Sequence, residues 1–318
     1  MWVVPTTTLR DKTVPDEFAK WGQSSFFDKN VKCICYRSLY KEDSTYEHIV
    51  LDEGHNITAQ NLSGPTIADN KYGSLTLMTA TVPHEQSKLD LIRMMRLPLI
   101  HVMTIGDAVK AGLISTFSVR VYPVAMDKTR THKVNLKSGS YYTSENTWYQ
   151  RITAQINTYG PGMAPKAMYL RRMRGIYRFQ SKVRAARKIL SRIPQNKRVL
   201  IFCGSIDTAR QLCEHQYHSE TDNEAYEKFN NKQINRLAVV KSLNEGHNMV
   251  DVDIALIVQV DSNKRNYVQR QGRALRFRPG HKAHIVVLYS LSTKDYAWVQ
   301  KSLSGIEPDF ITYYQTPL

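Results

Sequence analysis

Short runs of branched apolar residues recur along the chain, each stopping at a polar or glycine-containing turn and most followed by a stretch of helical character. Val199-Leu200-Ile201-Phe202-Cys203 is the clearest. Five successive apolar residues leave no polar face, so a strand built from them has to be covered on both sides. Leu237 to Lys241, Ile254 to Val260 and His284 to Tyr289 repeat the pattern, with a short strand remnant at Tyr217 to Ser219. Helices are predicted over Asp207 to His215, with Asp207 able to cap it, and over Asn223 to Asn230, Tyr267 to Leu275 and Asp295 to Leu303. Upstream, Met1 to Val4, Val31 to Tyr36, Ile49 to Leu51 and Leu75 to Met78 read as strands. A short helix is placed at Asp16 to Trp21 and a longer helical stretch from about His84 to Leu113. Strands alternating with helices in this way call for parallel sheets in a doubly wound α/β architecture.

A chain of 318 residues has room for about two domains of ordinary size. The expected division is 1–115, a basic linker or insert over 116–197, and 198–318. Thr116 to Val124 is strand-like, 127–165 shows no sustained period, and Met168 to Ile193 reads as one basic helix that includes Arg171, Arg172, Arg174, Arg178, Arg184, Arg187 and Arg192. From Arg120 to Arg198 there are 18 Lys and Arg against two acids, Asp127 and Glu145, which equals the net charge of +16 for the whole protein. Such a segment suits a polyanion, through phosphate neutralisation and counterion release. Tyr141, Tyr142, Trp148, Tyr149 and Tyr159 are scattered among these charges. They fit two readings: bases stacked on rings beside a charged groove, or rings packing a small insert of their own.

Four cysteines form no C-x-x-C pair and read as reduced core thiols, which fits an intracellular, cytoplasmic protein. No apolar run approaches the roughly 18 residues of a membrane span, and no membrane partner is expected.

The chemistry concentrates in two stretches. Ile49-Val50-Leu51 runs directly into Asp52 and Glu53, the strand end at which an open parallel sheet presents its ligands. Arg270, Arg273 and Arg276, at i, i+3 and i+6, project rigid guanidinium forks along one side of a helix, suited to phosphate oxygens.

In order along the chain these stretches resemble superfamily 2 helicases of the DEAD/DEAH-like kind. Val4-Pro5-Thr6-Thr7-Thr8-Leu9 resembles motif Ia, Cys35-Tyr36-Arg37-Ser38-Leu39 the T-Y-x-S segment, and Asp52-Glu53-Gly54-His55 motif II. Thr79-Ala80-Thr81 resembles motif III, Leu200-Ile201-Phe202-Cys203 motif IV, Leu243-Asn244-Glu245-Gly246-His247-Asn248 motif V, and Gln269 to Arg276 motif VI. The resemblance implies two RecA-like parallel-sheet domains, the first incomplete at its N-terminus, with ATP and Mg2+ as cofactors. It implies Asp52 as the magnesium residue, Glu53 as the residue that orients and deprotonates water, and Arg273 and Arg276 as arginine fingers with Gln269 beside them. His55, Gly246 and Asn248 would join Asp52, Arg273 and Arg276 around the nucleotide. Thr6, Thr7, Thr79, Thr81 and Gly246 would lie at or near nucleic acid, and the charge run adds Arg171 and Arg172 to that list.

Two departures stand out. Gly54 replaces the usual alanine of motif II, both being small. No G-x-x-x-x-G-K-[ST] occurs, nor any Gly-Lys dipeptide, and the match begins inside motif Ia. The phosphate loop and a central strand of the first sheet are then expected on a separate or missing segment, with a second polypeptide as a candidate carrier. The leading expectation is an ATP-dependent helicase or translocase acting on nucleic acid, DNA favoured over RNA. The alternatives are a non-catalytic nucleic-acid-binding module on the same scaffold and a restriction or remodelling motor that translocates on duplex.

Overall fold

The computed structural model describes residues 1–79, 85–113, 115–136, 139–160, 162–240, 251–260, 282–304 and 306–318. Two compact units divide between Val102 and Met103.

The first unit is built on four parallel strands, β1 (Trp2–Val4), β2 (Cys33–Cys35), β3 (Tyr46–Leu51) and β4 (Tyr72–Leu77), in the order β2-β1-β3-β4. Alternation along β1 puts Val3 and Val4, both fully buried, into different clusters. Val3 joins Leu39, Ile49, Leu51 and Ile57, while Val4 joins Val14 and Cys35. The second cluster is closed by helices Val14–Lys20 and Ser24–Asn30, through a Phe18–Phe27 ring contact of 4.9 Å. The helix at Ser24–Asn30 was not anticipated. The strands pair contiguously, with Ile49 opposite Leu75 and Leu51 opposite Leu77, and β2 and β4 are the outer strands among the described residues.

The helical stretch expected from His84 to Leu113 is two helices, Gln86–Met94 and Ile105–Lys110. Pro98, between them, lacks the amide an unbroken helix would need.

The second unit holds a seven-stranded parallel sheet. Its strands are β5 (Thr116–Val124), β8 (Val199–Cys203), β9 (Gln216–Tyr217), β10 (Arg236–Val240), β11 (Ile254–Ile257), β12 (Lys282–Ser290) and β13 (Ile311–Tyr313), with β6 (His132–Leu136) and β7 (Gly139–Thr143) forming a separate antiparallel hairpin. The order β13-β5-β12-β11-β8-β10-β9 makes β5 the second strand of the sheet, paired with β12 from Thr116↔Lys282 to Val124↔Ser290. The expected boundary at 115/116 and the expected start of a linker there therefore differ from the structure: 116–124 is a strand of the second unit. Along β8, Leu200 and Phe202 pack into one core cluster and Val199, Ile201 and Cys203 into the other, as a strand without a polar face requires.

Residues 127–165 are more ordered than their composition suggests. After the hairpin comes helix Glu145–Asn157, capped by Ser144 Oγ accepting from the Thr147 amide. The expected single basic helix is two, Lys166–Tyr177 and Gln180–Leu190, interrupted where Phe179 turns extended and buries its ring against Trp148 and His132. The predicted cap at Asp207 is also corrected. Helix Ile206–Leu212 starts one residue earlier and is capped by Ser205, whose Oγ accepts from the Thr208 amide at 3.2 Å.

The four cysteines are free, and burial raises the Cys33 thiol to about 11. No helix among the described residues is long and apolar enough to cross a membrane.

Candidate functional site

In a parallel sheet all carboxyl ends lie on one edge, and in the first unit that edge gathers the sequence-predicted residues. Thr6 and Thr7 follow β1, Asp52 and Glu53 follow β3, and Thr79 follows β4. Each strand hands its neighbour a backbone bond past its own end: Asp52 donates its amide to Val3 O, Met78 to Leu51 O and Gly54 to Met78 O, at 2.8–2.9 Å. The Tyr36 hydroxyl donates to Asp52 O at 2.9 Å. The acid pair is thus held on three sides.

Glu53 occupies the left-handed region at φ 49°, a conformation that costs a residue with a Cβ about 1–2 kcal/mol and turns the chain sharply off the strand. The next residue explains the glycine. A Cβ on Gly54 would overlap the Leu77 side chain, so the glycine here is not interchangeable with alanine unless Leu77 moves. His55, fully buried, joins two of the predicted residues: its Nδ1 lies 3.3 Å from Glu53 Oε2 and 3.0 Å from Thr79 Oγ1. Asn56 Nδ2 sits 3.2 Å from His55 Nε2, and as an amide NH2 it donates there. Nδ1 then carries the proton and donates to Thr79 Oγ1, with Glu53 Oε2 beside it at 3.3 Å. Lys88 Nζ donates to His55 O at 2.7 Å. Tyr36 lies in the segment that resembles T-Y-x-S, whereas Lys88 and Asn56 carry no sequence signal for a supporting role.

Burial raises the Asp52 pKa, against the lowering effect of the Glu53 amide, 2.9 Å from Oδ1, and of the Trp2 indole. Its donor set fits magnesium as that ion is ordinarily held, by one or two carboxylates plus water and phosphate oxygens. No cluster of three or more His, Cys, Asp or Glu able to cage a metal occurs among the described residues. After β1, Thr7 is exposed, and Thr6 Oγ1 accepts from the Leu9 amide at 3.3 Å.

In the second unit the two adjacent arginines separate. Arg171 is exposed, whereas Arg172 is buried over the Tyr169 ring at 5.8 Å, with NH1 3.5 Å from Thr153 Oγ1. Arg172 supports the insert and does not offer its charge to a ligand, a correction to its predicted role. The spacing carried a signal, since Arg172 lies four residues from both Met168 and the buried Ile176. The aromatic residues divide too. Trp148 and Tyr149 are core, as rings packing the insert would be, while Tyr141, Tyr142 and Tyr159 are exposed. Thr81, Gly246, Asn248, Gln269, Arg273 and Arg276 lie outside the described residues.

A group that sequence reasoning passed over lies beyond the strand ends of this sheet. Lys182 and Asp295, both fully buried, pair at 2.7 Å, and Lys182 Nζ also donates to Gln259 Oε1 at 3.0 Å. Gln259 in turn donates to Tyr177 O, and Asp295 Oδ2 accepts from the Ser290 amide. Burial pulls the Lys182 pKa down while Asp295 acts to hold its proton on.

Both units are parallel α/β sheets, and the first carries an acid pair at a strand end, an architecture similar to that of RecA-like helicase domains. Residues 181–278 match the helicase conserved C-terminal domain. Comparison with curated proteins by sequence finds no match. Among solved structures, the helicase domain of Hef from Pyrococcus furiosus aligns with a TM-score of 0.58 at 11% identity, over 95% of this chain and 88% of that one. The ATP-dependent Type ISP restriction-modification enzyme LlaBIII bound to DNA gives 0.59 at 12% identity, over 98% of this chain and 27% of that one. At such identities the likeness speaks for the fold.

Proposed function

We propose that the protein is an ATP-dependent motor of superfamily 2 that acts on nucleic acid, DNA before RNA. The observation that carries this reading is the contact of buried His55 with both Glu53 and Thr79 at the carboxyl edge of a parallel sheet. It links the acid that would meet the attacking water to the strand end after β4. In this reading Asp52 holds Mg2+ through water, and Glu53 accepts the water's proton at its carboxylate. His55, 3.3 Å from Glu53 Oε2, limits where that carboxylate can turn. The metal, when bound, would neutralise charge developing on the phosphates. Gln269, Arg273 and Arg276 keep the phosphate-facing roles that the motif resemblance implies, and His55, Gly246 and Asn248 the nucleotide-facing ones. Because these 318 residues contain no Gly-Lys dipeptide, the cradle for the β- and γ-phosphates is assigned to residues outside them, on a separate segment or a second polypeptide.

The test is ATP turnover by the chain, alone and with a segment carrying a phosphate loop, with and without single-stranded DNA. Turnover should require the added segment, rise with DNA, and fall by about 100-fold or more in Glu53→Gln. Robust Glu53-dependent turnover by the chain alone would refute the external cradle, and turnover untouched by Glu53→Gln would refute the role of the acid. The likeness to a DNA-bound restriction enzyme favours duplex translocation as the second reading. Triplex displacement without strand displacement is its signature.

A further inference from the structure

Many cations of the basic segment have structural work. Lys182 pairs with Asp295, Arg184 with Asp127, Arg187 donates to Gln211 O, Arg172 lies over Tyr169, and Arg198 lies over Phe229 while donating to Asp251 O and Phe229 O. Arg171, Arg174 and Arg178 form a different group. At i, i+3 and i+7 they share one exposed face of helix Lys166–Tyr177 and its C-cap, with no hydrogen-bonding or ionic partner among the described residues. They line a cavity of about 220 Å³, whose opposite wall is His132, Lys133 and Val134 of β6.

The shape of that cavity is built in. Its floor is Trp148, which crosses the helix where residue 175 has no side chain, since a Cβ on Gly175 would fall within the indole ring. Trp148 is fixed by edge contacts to Phe179 at 5.9 Å and by the His132 ring at 5.2 Å. A wider cleft of about 650 Å³ shares His132, Lys133 and Arg178 with it, so the charged surface continues toward helix Ile206–Leu212. Lys133 is cross-strand from Tyr142, and side chains on directly opposed residues share a face. An exposed ring, 59% accessible, therefore stands on the same face of the hairpin as Lys133.

Several like charges around a concave, ring-floored cavity repel one another unless a polyanion completes them. Guanidinium forks spaced along a helix, with an exposed tyrosine at the edge, match a phosphodiester backbone whose unpaired bases can stack. We propose that this cleft in the 127–178 insert binds single-stranded nucleic acid, with Arg171, Arg174, Arg178 and Lys133 on successive phosphates and Tyr142 against a base. The inference rests on the nucleic-acid half of the proposed function and not on its ATPase half.

The test is equilibrium binding of a fluorescent single-stranded oligonucleotide to the full chain across a salt series, without nucleotide. Arg171→Ala/Arg174→Ala/Arg178→Ala should make the log K against log[salt] slope shallower by about 2, and should weaken binding by about a hundredfold near about 0.1 M salt. The charge-matched control Arg151→Ala/Lys188→Ala/Arg192→Ala should change affinity by less than about threefold, and replacing the same three cleft arginines by lysine should keep most of the slope. Tyr142→Ala should cost roughly tenfold on the single strand and nothing on a duplex. Wild-type binding by the alanine triple variant, or an equal loss in the control, would overturn the site. Tighter duplex binding with no dependence on Tyr142 would overturn the single-strand assignment. Glu53→Gln should bind like wild type, so a failed ATPase reading leaves these outcomes unchanged. A misfolded alanine variant would show in its melting curve, and the lysine variant then decides.

Discussion

Replacing Lys182 by methionine should be among the most damaging single changes in the second unit. Lys182 and Asp295 are both fully buried at 2.7 Å, and Lys182 has two acceptors, Asp295 Oδ2 and Gln259 Oε1. At an effective dielectric near 20 the attraction between unit charges at this distance is about 6 kcal/mol, which offsets the cost of taking both out of water. Methionine matches the aliphatic stem but leaves the Asp295 carboxylate in the interior with one remaining donor, the Ser290 amide. Buried pairs broken from one side cost about 3–5 kcal/mol, and that is the expected loss for Lys182→Met and for Asp295→Leu alike. The double variant removes both charges. It costs Gln259 Oε1 and the Ser290 amide one partner each, at about 1–3 kcal/mol apiece, so the two losses should fall short of additivity by about 2–4 kcal/mol. Urea unfolding followed by the fluorescence of Trp298, on the same helix as Asp295, measures all three with unchanged m-values. Single losses below about 1 kcal/mol, or strict additivity, would show that the pair is not a buried ionic contact.

Three further outcomes follow from packing and charge. Gly175→Ala should destabilise the insert by about 1–3 kcal/mol and shift the emission of Trp148, because the added methyl has to displace the indole; unchanged stability and emission would refute that placement. Gly54→Ala should cost a similar ~1–3 kcal/mol by driving into Leu77, and Leu77→Ala should relieve part of it; a Gly54→Ala loss that Leu77→Ala leaves whole would point to the backbone instead. Thr129, through its hydroxyl and amide, and Arg184 hold Asp127 down at about 2 against the opposing effect of burial. Because the folded pKa lies below the unfolded one, this contribution is full above about pH 4 and is lost as pH falls toward 2. Asp127→Asn should lose about 1–2 kcal/mol at neutral pH, after screening, and match wild type near pH 2 in acid titrations of stability. A difference that persists at pH 2 would contradict the assignment.

What could be read in the residues was whatever burial writes locally. Val199–Cys203 and Ile49–Leu51 are apolar because both faces of their sheets are covered, and that demand shows in any stretch of the right length. The acid pair was legible for the same reason, since a buried strand must end somewhere and Asp52-Glu53 stands where it does. Short helices left less trace. Ser24–Asn30 closes one side of the first sheet through Phe27, with Phe26 half exposed, too few positions to show a period.

Other features depend on partners distant in the chain. Strand 116–124 looks the same whether it ends one domain or begins another, and only its pairing with 282–290 assigns it to the second sheet. Arg171 and Arg172 are chemically identical and adjacent, but a helix turns about 100° per residue, so one faces solvent and the other Tyr169. Gly54 passed as a small-for-small exchange until Leu77, from the neighbouring strand, was seen to fill the space of its missing Cβ. The sequence by itself determined that the chain forms parallel α/β sheets, where Asp52 and Glu53 fall, and where the positive charge is concentrated, because hydrophobicity, chain order and charge are properties of residues. Which cations are bound internally and which surround a cleft, and which histidine steadies the acid, only the tertiary structure decided. Those are properties of pairs, and the pairs form only when strands and helices distant in sequence are packed together.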